Sequence, residues 1–116
     1  WERAETDNDI LLAWKHHLAG HIQLSSRMFS RMVQQLELPA STRAMALNGF
    51  AEEAAVRNQW ENLLRLARES ANLEPNQHAA YLFGWQASTV LGNHHQAMQW
   101  LERFGRVPSS VLAIDV

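Results

Sequence analysis

The sequence contains no cysteine. A disulfide framework, a thiolate zinc site and a cysteine nucleophile are excluded together, and cysteine usage leaves the compartment open. Proline and glycine are scarce, at three and five residues. They stand singly, so there is no Gly-rich phosphate loop and no flexible linker. Lysine occurs once, as Lys15, and arginine supplies the rest of the ten basic side chains. The formal net charge is -2, which argues against a basic nucleic-acid-binding surface and against nucleic acid as a direct partner. Apolar residues make up 47 %, yet no continuous apolar run approaches the roughly 18 residues needed to cross a bilayer. No membrane segment is expected within the chain.

What is present reads as helix. A chain of 116 residues supports one domain with a modest core. It begins with Trp1, so it is read as a fragment or processed product whose signal or anchor would lie outside it. Residues 1–8 are acidic and polar and read as a frayed segment, with Thr6, Asp7 or Asn8 as a cap. A helical domain is expected over 9–105, followed by a tail or the start of a capping helix over 106–116, with Val111, Leu112 and Ile114 facing inward.

Six helices are expected within the domain. The first carries Ile10, Leu11, Trp14 and Leu18 and ends at Gly20. The second runs over about 21–37 with Leu24, Met28, Met32 and Leu36, until Leu38-Pro39 stops it. The third, about 42–57, has Ser41 as its cap and Gly49 inside it, a mark of close approach by a neighbouring helix. Asn58 marks a turn. The fourth, about 59–71, bears Trp60, Leu63, Leu64 and Ala67 on one stripe, with Glu61 and Arg65 spaced for a surface pair. The fifth covers about 77–91 and ends at Gly92-Asn93, a C-cap followed by an N-cap. The sixth, about 94–104, places Ala97, Trp100, Leu101 and Phe104 and ends at Gly105. Trp60, Leu63, Leu64, Ala67, Phe83, Leu101 and Phe104 are the expected core.

Chemistry-bearing constellations are thin. His17 and His21 have the spacing of a helical metal pair, but Gly20 interrupts the helix between them, and no HExxH is present. His16-His17 and His94-His95 are read as surface pairs at helix ends. Glu52-Glu53 point apart on a helix, and Ser25-Ser26 and Ser109-Ser110 lack a nucleophile elbow. No catalytic residue, metal site or cofactor is expected, and the chain is not read as an enzyme. Trp14, Trp60, Trp85, Trp100, Phe83, Tyr81 and Phe104 fall at helical spacings and are read chiefly as packing residues.

Pro39, Pro75 and Pro108 stand about 33 to 36 residues apart, which prompts a search for a repeat. A shift of 34 superposes Leu47 on Tyr81, Ala51 on Trp85, Val56 on Val90, Asn58 on Gly92, Leu63 on Ala97 and Ala67 on Leu101. Leu47-x-x-Phe50-Ala51-x-x-Ala54, Trp60 after the turn, Leu63-x-x-x-Ala67 and Leu73-Glu74-Pro75-Asn76 resemble the tetratricopeptide repeat family. The likeness covers about 44–104 well and the first forty residues weakly; Phe83-Gly84 and Pro108 both arrive early.

The resemblance implies an all-α solenoid of about three antiparallel helical hairpins, used for protein–protein interaction. It further implies that the first helix of each hairpin lines a concave groove. The partner-binding groove would be drawn from Leu12, His16, Met45, Asn48, Glu52, Leu82, Gln86 and Thr89. Its partner would be another protein or a peptide segment with apolar anchors. The alternative is a self-associating, homo-oligomeric assembly, or the regulatory domain of a larger secretion-system component or transcription regulator.

Overall fold

Three short turns set the architecture. The computed structural model describes residues 7–108, and among them the order is α1 (Asp7–Leu18), α2 (Ile22–Gln34), α3 (Ala40–Val56), α4 (Trp60–Leu73), α5 (Ala79–Val90) and α6 (His94–Arg106), with no strand. Within each consecutive pair the connection centres on Gly20, Asn58 or Gly92, and each of the three has positive φ, at 87°, 60° and 80°. The hydrogen bonding is the same each time. The N–H of the left-handed residue reaches back three positions, Gly20 to His17, Asn58 to Ala55 and Gly92 to Thr89, all at 3.1 Å. The next N–H reaches back five, His21 to His16, Gln59 to Ala54 and Asn93 to Ser88, at 2.9, 2.9 and 2.8 Å. This is a Schellman closure made three times. After it, Asn93 caps α6 by accepting from the N–H of Gln96 at 3.1 Å.

The pairs are joined by longer segments, 35–39 and 74–78. Each helix contacts the next, and in addition α1 contacts α3 and α3 contacts α5, whereas α2, α4 and α6 make no such contact with one another. The odd-numbered helices therefore share one side of the molecule, and the even-numbered ones are splayed along the other. The body is elongated, 49 × 31 × 29 Å.

The core follows the pairs. Ile10, Ala13, Phe29, Met32, Leu38 and Ala46 form a first cluster. Leu47, Ala51, Ala54, Leu63, Leu66 and Ala87 form a second, and Ala67, Ala71, Ala80, Tyr81, Trp100 and Val107 a third. Val33 and Phe50 bridge the first two, and Leu64 and Phe83 bridge the last two. Glycine admits the two largest intrusions. A Cβ on Gly49 would stand 2.5 Å from the ring of Phe29, and one on Gly84 would overlap the indole of Trp100. The two sites are not equivalent: Phe29 comes from the preceding pair, Trp100 from Gly84's own pair.

Several expectations are corrected. Leu101 is 37 % exposed; Trp100 takes the core position. Ala67, the counterpart of Leu101 one repeat earlier, lies in the cluster that α5 and α6 cover. No described helix follows α6 to do the same for Leu101. α2 ends at Gln34, leaving Leu36 77 % exposed, because the chain turns at extended Gln35 and inserts Leu38 instead. Ser41 does not cap α3; the helix begins at Ala40 with Pro39 in the cap position and no side-chain cap. Gly105 lies inside α6, and extended Val107 ends it. Arg65 turns from Glu61 to Glu69 at 2.9 Å and to Asn62 Oδ1 at 2.6 Å. α1 already starts at Asp7. Trp1, Thr6, Ser109, Ser110, Val111, Leu112 and Ile114 lie outside the described residues.

Candidate functional site

On the odd-helix side α1, α3 and α5 enclose a cleft of about 440 Å³. Trp14 comes from α1, Met45, Asn48 and Glu52 from α3, Gln77 and His78 from the segment before α5, and Ala79 and Phe83 from α5. Residues 45, 48 and 52 recur at three- and four-residue intervals, so α3 presents them on one face.

The walls are held by neighbours. The indole N–H of Trp14 donates to the Met45 carbonyl at 3.2 Å, and its ring meets Phe29 edge-on at 5.6 Å. His17 Nε2 lies 3.3 Å from a Glu52 carboxylate oxygen. The His17 side chain is only 8 % exposed, so it is an inter-helix contact rather than one of a surface pair. His78 packs edge-on to Phe104 at 4.6 Å.

A closed polar triangle forms one wall. Asn48 Nδ2 donates to Gln77 Oε1 at 2.8 Å, Gln77 Nε2 donates to Ser70 Oγ at 2.8 Å, and Ser70 Oγ donates to Asn48 Oδ1 at 2.7 Å. Asn48 is 6 % exposed and Ser70 fully buried. Each polar group has a partner, which is what burial demands. Asn48, expected on the groove surface, is therefore a structural residue that ties α3 to α4 and to the segment before α5. The accessible chemistry is left to Trp14, Met45 and Phe83; among the described residues Glu52 is the one acidic side chain lining the cleft, and no lysine or arginine lines it.

The structure thus brings Met45, Asn48 and Glu52 together in one cleft. Leu12 and Leu82 are exposed, at 46 % and 43 %, Gln86 and Thr89 are exposed, His16 is half-buried, and none of the five lines the cleft. His16 instead faces His21, with Nδ1 atoms 3.1 Å apart. Trp14 and Phe83, read from sequence as packing residues, do pack and also wall the cleft. Gln77 and His78 lie outside the helices, where periodicity gives no signal. The visible clue was Asn48, an amide between Leu47 and Gly49 in a run of buried positions.

Among the described residues no group of three or more histidines and acids is placed to hold a metal ion. No helix there is long and apolar enough to cross a membrane. Compared with known proteins, the chain matches no family model, no curated protein and no solved structure at a significant level.

Proposed function

We propose that this chain is a protein–protein interaction module of the tetratricopeptide-repeat type, a stack of three helical hairpins that takes a partner segment in the cleft of its odd-numbered helices. The observation that carries the reading is the cleft itself: apolar walls supplied by three separate helices, held open by the buried Asn48–Ser70–Gln77 triangle. The threefold Schellman turn and the contacts of α1 with α3 and α3 with α5 support the repeat reading. An apolar anchor suits Met45 and Phe83, and a basic neighbour in the partner suits Glu52. This role requires no catalytic group and no cofactor.

Selection from a random peptide library tests the proposal. The expected consensus is a large apolar residue with a lysine or arginine close by. Met45→Arg should abolish binding of the selected peptides while leaving the melting temperature within a degree or two, since Met45 is exposed. Peptides that bind Met45→Arg as tightly as the parent chain would overturn the reading.

A second reading, self-association, rests on the end of the stack. Trp85, Met98 and Leu101 are 39 %, 57 % and 37 % exposed, while their counterparts 34 positions earlier, Ala51, Leu64 and Ala67, all pack into the core. A mass that doubles with concentration and returns to that of the monomer in Met98→Lys/Leu101→Lys would favour this reading over the cleft.

A further inference from the structure

The splay of the even-numbered helices opens a second region, between α4 and α6, that the cleft reading does not use. Two adjoining clefts of about 430 and 270 Å³ lie there, both lined by Asn72 and Arg103. Arg68 of α4 lines the smaller and Arg106 of α6 the larger. All three arginines are exposed, and among the described residues no acidic one lines either cleft. Two other arginines are neutralised, Arg57 by Glu53 at 3.0 Å and Arg65 by Glu69 at 2.9 Å, and Arg43 donates to the Val33 carbonyl at 3.3 Å. Arg68, Arg103 and Arg106 have no ion pair among the described residues, although the chain as a whole carries a net charge of -2.

The rest of the lining supplies more donors. Asn72, Asn76, Gln96 and Gln99 present side-chain amides. The guanidinium of Arg103 lies over the Trp100 ring, 5.5 Å from its centroid. Stacking of this kind restrains an otherwise flexible side chain and fixes its fork for bidentate contact with an oxyanion. The Tyr81 hydroxyl is already committed, donating to the Pro75 carbonyl at 2.6 Å.

We infer that the α4/α6 clefts bind a phosphorylated peptide side chain, with Arg103 at the centre and Arg68 and Arg106 on either side. Arg103, common to both clefts and flanked by a second arginine in each, answers a dianion better than a single carboxylate. Two adjoining clefts suit a short extended segment better than a lone ion. Nucleic acid fits poorly, because the basic footprint is confined to three side chains, and Trp100, 5 % exposed and lying under Arg103, offers no stacking face.

The test is an NMR titration of the 15N-labelled chain, following the arginine Nε–H signals and the Trp100 indole N–H. The probe is a short peptide with one phosphoserine between two aspartates. Controls are the same peptide with serine, the same peptide with glutamate, inorganic phosphate, and single-stranded DNA of matched charge. The expected result is saturable movement of Arg68, Arg103, Arg106 and Trp100 with the phosphopeptide. Affinity should be at least about tenfold weaker for every control and should fall as salt is raised. Arg103→Gln should weaken binding at least about tenfold, and Arg27→Gln should leave it unchanged. The double variant Arg68→Gln/Arg106→Gln carries the same expectation should Arg103→Gln lose its native circular dichroism. Absence of saturation, equal affinity for any control, or unaltered binding in the variants of the three cleft arginines would overturn the inference.

Discussion

The two long sides of the molecule come from the same six helices and carry different chemistry. On the odd-helix side the helices touch, and the cleft between them is walled by Trp14, Met45 and Phe83. On the even-helix side the helices stand apart and leave clefts rimmed by arginine. Those even-side clefts also differ among themselves. Between α2 and α4 a cleft of about 370 Å³ contains Glu53, which pairs with Arg57 and accepts from Ser26. Between α4 and α6 no acid among the described residues answers the arginines. Backbone geometry therefore supplies a cleft wherever even helices splay, and side-chain pairing decides whether its charge remains open to a ligand. α4 is a wall of every one of these even-side clefts, and its other side supplies Ser70 to the triangle behind the odd-side cleft.

Removing the packed side chains beneath the even-side clefts should have the largest effect. Trp100→Ala should cost about 3–5 kcal/mol and Leu66→Ala about 2–5 kcal/mol in urea unfolding, because both side chains are 5 % exposed and close packing leaves a cavity behind. A neutral result at either position would mean that the cleft above it lacks a packed floor.

Next comes the link between the two sides. Ser70→Ala removes one corner of the triangle and leaves the buried Asn48 Oδ1 without its donor, while Gln77 Nε2 keeps only the carbonyl of residue 70. The expected loss is about 1–3 kcal/mol by chemical denaturation. The variant should also loosen the odd-side cleft, seen as faster amide exchange at Gln77 and His78.

The turns give a smaller and signed comparison. Gly92→Ala forces a Cβ into positive φ and should cost about 1–2 kcal/mol. Gly105 lies within α6 with open space around it, so Gly105→Ala should instead stabilise by up to about 1 kcal/mol. Thermal melts of the two variants should shift in opposite directions.

The smallest effect on stability should be the most informative about binding. Glu53→Gln/Glu69→Gln strips the acids from Arg57 and Arg65, both pairs with an exposed guanidinium that contribute at most about 1 kcal/mol each, and a glutamine at 53 can still accept from Ser26. Folding should be nearly unchanged, yet the α2/α4 cleft should begin to bind the phosphopeptide. A double variant that gains no affinity there would show that unpaired arginine alone does not make such a site.

Much of the helical order was legible because it rests on local chemistry. Gly20, Asn58 and Gly92-Asn93 marked their turns, since positive φ and capping are properties of one or two residues. Gly49 marked the close approach that Phe29 makes. Leu36 and Leu101 were misplaced because periodicity gives the face of a helix but not where the helix stops or whether another covers it. The candidate cleft was legible only in part for the same reason. Met45 and Glu52 follow from the helical face, whereas Asn48 is withdrawn by partners 22 and 29 residues away. The arginine clefts left no sequence signal: Arg68 and Arg103 meet only once α4 and α6 are placed side by side.

The four methionines provide the most direct reading of the central claim, that partner segments bind the odd-helix side. Met45 lines the odd-side cleft, Met98 lies on the exposed end of α6, Met32 is buried, and Met28 packs beside it. With methyl-13C methionine, each gives one NMR signal. On titration with a library-selected peptide, the account predicts a saturable shift of the Met45 methyl while those of Met28, Met32 and Met98 stay in place. A shift of Met98 with Met45 unmoved would contradict it and place binding at the end of the stack.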